Sequence, residues 1–265
     1  MRDSFLHNYH THTWRCHHAD GEDRAYVESA IRCGLKTLGF SDHTPYPFSN
    51  GYESHIRMRL DQMEDYVSSV LSLKKEYERD ITIRLGVEAE YYPRDFERLL
   101  RFMDDFPLDY MILGQHFLTD EKDDFYSGSM TKDPLLLGIY VDRTIQGMET
   151  GRFLYLAHPD LIHFTGRSSV YRKEMQRLCR AAKRLDIPLE INLQGIWLNR
   201  HYPTMEFWRV AGEEGNKVVI GSDAHSPDKV VPEEALHKAF AMAEEYDLKL
   251  VDDVYEEGRQ RNRNA

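Results

Sequence analysis

Cysteine, long apolar runs and basic clusters are all scarce in this chain, and each shortage removes a class of protein. Cys16, Cys33 and Cys179 are the only cysteines in 265 residues. They are odd in number and lack C-x-x-C spacing, so neither a disulfide framework nor a thiolate zinc site is expected, and a reducing cytoplasm fits. No run approaches the ~20 apolar residues needed to span a bilayer, and the start MRDSFLHNYHTHTW has no apolar signal-peptide core. A soluble, cytoplasmic protein with no membrane partner is therefore expected. The 45 acidic and 34 basic residues give a formal charge of −11 with no Lys/Arg-rich block, which argues against nucleic acid held by general electrostatics. Also missing are a G-x-S-x-G elbow, a G-x-x-x-x-G-K-[ST] loop, a G-x-G-x-x-G turn and an H-E-x-x-H helix. None of the three cysteines is followed by arginine six positions later, which excludes a cysteine-phosphatase loop.

What is present is an alternation of short apolar runs and longer stretches of helical period, the mark of repeated βα units. The spacing predicts seven strands: Leu6–His10, Thr37–Ser41, Ile81–Glu88, Tyr110–Gly114, Phe153–Ala157, Leu189–Asn192 and Lys217–Gly221. Between them Leu60, Met63, Val67, Val70 and Leu71 mark one helical face. Phe96, Leu99, Leu100, Met103 and Phe106 mark a second, and Tyr171, Met175, Leu178, Cys179, Ala182 and Leu185 a third. No Pro/Gly/Ser-rich linker divides the chain, so residues 1–265 are expected to form a single domain, with 257–265 a polar tail.

Nine metal-competent side chains recur where those strands end: His10, His12, His18, His43, Glu88, His116, His158, Asp223 and His225. Imidazole and carboxylate are ligands for zinc, manganese and iron, and residues two apart on a strand point to one face. The pairs His10/His12 and Asp223/His225 have that spacing. Glu88 and Asp223 each follow an apolar strand, where a buried carboxylate needs a partner and a cation would supply one. The pattern therefore predicts a multinuclear metal site. Because reactive residues follow nearly every strand, a closed ring of strands with the site on its C-terminal rim is favoured over an open doubly wound sheet.

The phrases HTHTWRCHH, GFSDHTPYP, LGVEAEYYP, LDYMILGQHF, LAHPDLI, LEINLQG and IGSDAHSP occur in that order between about residues 5 and 230. In this the chain resembles the polymerase-and-histidinol-phosphatase (PHP) family, most closely its histidinol-phosphate phosphatase branch. The resemblance implies a distorted (β/α)7 TIM-like barrel and a centre of two to three divalent zinc, manganese or iron ions. It implies that His10, His12 and Asp223 hold one ion and that Glu88 bridges it to a second on His116 and His158. His18, His43 and His225 would surround the third. The branch clamps phosphate with arginines after its fifth and sixth strands, for which Arg167 and Arg200 are the nearest candidates. Trp197 stands where some relatives carry an arginine.

A metal pair sharing Glu88 would lower the pKa of a bridging water and give hydroxide for in-line attack on a phosphate monoester, with no protein nucleophile. The catalytic set is then Glu88, Asp223 and His225, with Arg167, Arg200 and His43 as substrate contacts. The partner is a small phosphorylated substrate, and the branch implies L-histidinol phosphate, cleaved to L-histidinol and phosphate in histidine biosynthesis. Glu90, Asp42 and Asp160 are each either a partner for a substrate ammonium or a carboxylate orienting a histidine. Tyr91, Tyr92 and Trp197 are candidates to wall its ring. A PHP-type esterase for a nucleotide, nucleic-acid end or phosphotyrosine remains open, as does a metal-binding domain without turnover. The oligomeric state is open.

Overall fold

The computed structural model describes residues 5–122 and 125–258. They form two compact units. The first runs to Ala89 and takes in Pro93–Ile112 and Gly221–Glu233, and the second comprises Glu90–Tyr92, Leu113–Ile220 and the chain from Glu234.

In the first unit β1 (His7–Asn8), β2 (Thr37–Phe40), β3 (Thr82–Ala89) and β4 (Tyr110–Leu113) form a sheet in sequence order. The pairings of β1 with β2 and of β2 with β3 are parallel, with Asn8 opposite Leu38 and Phe40 opposite Leu85. Parallel neighbours need crossovers, and two of these are supplied by α1 (Asp23–Arg32) and α2 (Met63–Glu76); α3 (Phe96–Met103) precedes β4. All four residues of β2 and of β4 are buried, as expected of strands covered on both faces.

Tyr110 fills the space beneath this sheet. Its ring passes Gly86 and its hydroxyl passes Gly39, so closely that a Cβ on either would lie 2.4 and 2.3 Å from the tyrosine. The hydroxyl donates to the carbonyl oxygens of Tyr9 at 2.8 Å and Phe40 at 3.0 Å. These are the residues just before His10 and before Ser41-Asp42-His43, so a buried tyrosine ties together the two strand ends that carry metal-competent groups.

In the second unit β5 (Leu189–Asn192), β6 (Lys217–Gly221) and β7 (Lys249–Leu250) form another sheet, with β6 and β7 parallel. The helices are α4 (Pro134–Glu149), α5 (Ser168–Arg184), α6 (Leu193–Trp197), α7 (Met205–Glu214) and α8 (Glu233–Glu245). The start of α4 follows from sequence: the Asp133 side chain accepts from Leu135 N–H at 2.8 Å, and Pro134 occupies a position whose N–H has no helical partner.

The α/β class and its strand-then-helix order are as expected, with three corrections. Phe153–Ala157 is not a strand: only Leu156 is bridged, in parallel to Leu113 on one side and Leu189 on the other. Its flanking bonds, Leu113 N–H to Tyr155 O, Ala157 N–H to Leu113 O and Glu190 N–H to Leu156 O, make a single rung. His158 at φ 28° and then Pro159, with no N–H, turn the chain out of the ladder. Second, β7 lies outside the expected strands. Third, Leu60 and Leu71 are exposed and do not belong to the α2 face, which Met63, Tyr66, Val67, Val70 and Leu73 make. Leu71 lies one residue from Val70, about 100° around the helix. Residues 257 and 258 of the expected tail are still helical, and its remainder lies outside the described residues. Among the described residues no helix is long and apolar enough to cross a membrane.

Candidate metal centre

Beyond its last ladder residues the first unit's chain stays in register as single bridges, and these aim the site. Thr11 pairs in parallel with Ala224, and His43 with Glu88. The Thr11–Ala224 bridge brings the segment that carries His10 and His12 alongside the one that carries Asp223 and His225. The bonds are His12 N–H to Ala224 O at 2.9 Å and Ala224 N–H to His10 O at 3.3 Å. The Glu88 backbone is fixed to the Asp42–Thr44 segment by Glu88 N–H to Asp42 O at 3.0 Å and Thr44 N–H to Glu88 O at 2.9 Å. Asp223 takes a left-handed backbone, φ 50°, a conformation Asp tolerates better than most residues.

Three imidazoles converge on one carboxylate oxygen. Glu88 Oε2 lies 3.0 Å from His43 Nδ1 and 3.5 Å from Nε2 of both His10 and His12. Asp223 Oδ1 lies 3.1 Å from His12 Nε2, 3.6 Å from His10 Nε2 and 3.4 Å from His225 Nδ1. His10, His12 and Glu88 are buried to within 1% of complete exclusion from solvent. His18, His43 and His225 form a second group whose donor atoms lie within 4.8 Å of one another, with His18 at the solvent edge.

This donor set fits divalent metal. Ligands 2.0–2.2 Å from a tetrahedral ion stand about 3.4 Å apart, and the separations above run from 3.0 to 3.6 Å. His12 Nε2 is buried without hydrogen-bond geometry to either carboxylate, an arrangement that wastes two charges unless a cation sits among them. Charge in the cluster is polarised accordingly. Burial works against ionising both Asp223 and His12, yet His10, His12 and His225 hold the Asp223 carboxyl well below its ordinary range. Contacts to Asp223 and Asp42 raise His12 well above an ordinary imidazole. Burial and the neighbouring His12 push His225 down to about 3 and lower His18 as well, leaving both as neutral imidazoles able to ligate.

The other two expected ligands belong to the second unit. The ring centroids of His116 and His158 lie 4.9 Å apart. His116 Nδ1 donates to Glu90 Oε1 at 2.8 Å, which leaves Nε2 for a metal. His158 is placed through its backbone N–H, which donates to Glu190 Oε2 at 3.0 Å, and the same oxygen accepts from Asn192 Nδ2 at 3.0 Å.

Of the acidic residues near ligand positions, Asp42 and Glu90 hold histidines. Asp42 Oδ1 stands 3.4 Å from His12 Nδ1 and accepts from His43 N–H at 2.8 Å. Asp160 accepts from Thr204 N–H at 2.5 Å, and burial raises its carboxyl to about 7. Arg167, the residue preceding α5, and Arg200, after α6, are both exposed, as is Trp197; Tyr92 is buried and Tyr91 half-buried. Sequence reasoning missed Asn8, Cys16 and Glu190. Asn8 Oδ1 accepts from His10 N–H at 3.2 Å and Ser222 N–H at 3.0 Å, clasping the two strand ends that carry ligands. Cys16 offers sulfur within 4.8 Å of donor atoms of His12 and His225. For Asn8 the available signal was a polar residue inside an apolar strand, two before His10. Cys16 had only its place between His12 and His18.

Residues 8–194 match the model of the PHP domain family. A protein of Deinococcus radiodurans named "Probable histidinol-phosphatase" is 30% identical over 230 residues, covering 83% of this chain and 86% of that one. A "Histidinol-phosphatase" of Bacillus subtilis is 32% identical over 119 residues, 43% of this chain and 44% of that one. Among solved structures, histidinol phosphate phosphatase from Lactococcus lactis subsp. lactis, complexed with zinc, L-histidinol and phosphate, superposes with a TM-score of 0.72 at 19% identity. The match covers 93% of this chain and 95% of that one, a likeness of fold.

Proposed function

The chain belongs to the PHP domain family, in its histidinol-phosphatase branch, and on that footing we propose that it is a metal-dependent phosphoric monoester hydrolase cleaving L-histidinol phosphate to L-histidinol and phosphate in histidine biosynthesis. The observation that carries the reading is the convergence of His10, His12 and His43 on Glu88 Oε2 within 3.5 Å, with Asp223 closing the group. A buried cluster of imidazoles and two carboxylates is a site for hard or borderline divalent ions.

His10, His12, Glu88 and Asp223 would hold one ion, and His18, His43 and His225 another. His116 and His158 join the proposed ligand set on their own chemistry: two imidazoles at ligand spacing, the first oriented by a buried carboxylate. Two to three ions of zinc, manganese or iron is the proposed complement. Bound divalent ions supply Lewis acidity toward phosphoryl oxygens and make water acidic enough to ionise near neutral pH.

The protein's own groups do the rest. Glu88 and Asp223 are buried, and the Glu88 backbone is held by Asp42 and Thr44, so little reorganisation is needed as charge develops. His18 and His225, both held neutral at the accessible side of the cluster, would serve as ligands, and the leaving alkoxide would take its proton from solvent water. His43 reaches both donor groups, which suits it to contact the substrate as well as metal. Arg167 and Arg200 are the proposed phosphate contacts; their exposure leaves both free to swing onto a dianion.

The test is a panel of phosphomonoesters run side by side on metal-loaded protein. L-histidinol phosphate should be cleaved far faster than an aryl phosphate, a nucleotide or a phosphotyrosine peptide. Equal rates across the panel would remove the pathway assignment while leaving the esterase reading in place.

A further inference from the structure

A pocket of about 430 Å³ opens in the first unit along residues 46–61, with Arg98 of α3 on its rim. Its size is that of sites that take small organic ligands. The chain here has no helix or strand before Leu60 and is held by local turns, with Phe48 N–H to Tyr46 O at 2.9 Å and Gly51 at φ 71°. Asp95 anchors it by accepting from Ser49 N–H at 3.0 Å.

The lining is unusual for a structural crevice. One wall is aromatic: Tyr46 and Phe48 stack at 4.8 Å and 19°, and Tyr52 meets Phe48 edge-on at 5.5 Å. Arg57 also lines it and is 1% exposed, one of the largest side chains taken fully out of solvent. Its guanidinium reaches the Thr44 carbonyl oxygen at 3.4 Å and stands 5.9 Å from the centroid of the Tyr46 ring. Of the rim arginines, Arg59 is paired with Asp61 at 3.0 Å, while Arg98 is solvent-exposed. Three arginines against Glu53 and Asp61 leave the lining one positive charge, in a chain whose net charge is −11.

Rings that offer a flat apolar face, next to guanidiniums that grip planar anions in a fork, describe one ligand chemistry. We infer that this pocket is a second small-molecule site, separate from the metal-ligand cluster, for an aromatic or heteroaromatic carboxylate. Its ring packs on Tyr46, Phe48 and Tyr52, and its carboxylate meets Arg98 at the rim with Arg57 behind. Inorganic phosphate has no ring to bury and is not the ligand. The inference does not depend on which phosphate ester the metal centre cleaves.

The probe is phenylacetate, titrated calorimetrically into protein with its metal bound and into chelator-treated protein, with phenylacetamide and inorganic phosphate as controls. Phenylacetate should bind once per chain with equal affinity in both preparations, and the neutral amide about tenfold more weakly. Arg98→Ala and Tyr52→Ala should each weaken phenylacetate about fivefold or more, and Arg98→Lys should recover only part of the loss. Both positions are at least partly solvent-exposed, so either variant serves if the other fails to fold. No saturable binding overturns the inference. So does equal binding of the amide, affinity unchanged in both variants, or binding that disappears with the metal, which would put the carboxylate on the metal centre.

Discussion

Glu90 accepts a hydrogen bond from Nδ1 of His116 at 2.8 Å, and both belong to the same compact unit. The bond fixes which nitrogen of the imidazole carries the proton and turns the other outward as a lone-pair donor. Carboxylates in that position sharpen a ligand without touching metal. Glu90→Gln should therefore lower metal affinity about 10- to 100-fold while leaving the fold intact. Metal content after dialysis against graded chelator reads the effect; an unchanged titration would remove His116 from the ligand set or Glu90 from its support.

Removing metal should abolish turnover, and the loss should depend on acidity. Imidazole and carboxylate ligands bind only when deprotonated, so metal retention should fall as the solution is acidified. Phosphatase activity and metal analysis measured on the same samples between pH 5 and pH 8 check this. Activity that survives full metal removal would sink the proposed chemistry.

Glu88→Gln keeps the shape of the side chain and removes the charge toward which His10, His12 and His43 point. Turnover should fall on the order of 10²–10³-fold, comparable to losing one preorganised transition-state contact. The variant should also retain less metal. A full complement of ions with near-normal kcat would show that Glu88 is only a packed carboxylate.

Gly86→Ala addresses the floor of the site. The new Cβ would stand 2.4 Å from the Tyr110 ring, which is itself clamped between Tyr9 and Phe40 carbonyls. A destabilisation of about 1–3 kcal/mol or more is expected, read as a shifted denaturation midpoint. Tyr110→Phe in the Gly86→Ala background should not restore it, because the clash is with the ring and not with the hydroxyl.

His201 should titrate below the ordinary imidazole value. It is half-buried, stacked on His163 at 4.0 Å, and beside Arg200; burial, then those two neighbours, lower it. A histidine with a depressed folded-state pKa binds fewer protons folded than unfolded. Its contribution to stability is thus present above about pH 6.5 and is lost as pH falls through that value toward the folded-state pKa. Imidazole proton chemical shifts followed against pH check the direction, and a midpoint at or above 6.5 would contradict it.

Much of this was legible in the chain because some chemistry is local. Period-two placement put His10 with His12 and Asp223 with His225, and apolar strands ending in carboxylates marked Glu88 and Asp223. The Asp133-Pro134 start of α4 follows from one cap and one missing N–H. Other features were not legible. Phe153–Ala157 has a strand's composition but only one rung, since His158 and Pro159 turn the backbone away. Asn8 reads as an ordinary polar residue until Ser222, 214 positions later, donates to its side chain. The roles of Asp42 and Glu90 stayed divided between substrate and histidine until a bond to one imidazole and a near contact with another decided them.

The sequence by itself determined the α/β class, the family and the identity of the metal-competent groups, because strand period, apolar runs and ordered motifs are properties of neighbouring residues. Only the tertiary structure decided which donor faces which: that three imidazoles share one oxygen of Glu88, that Asn8 clasps the ends of two distant segments, and that a buried arginine lines an aromatic pocket. Those are distances between residues far apart in the chain, set by parallel register and by what the strands bury, and no local pattern encodes them.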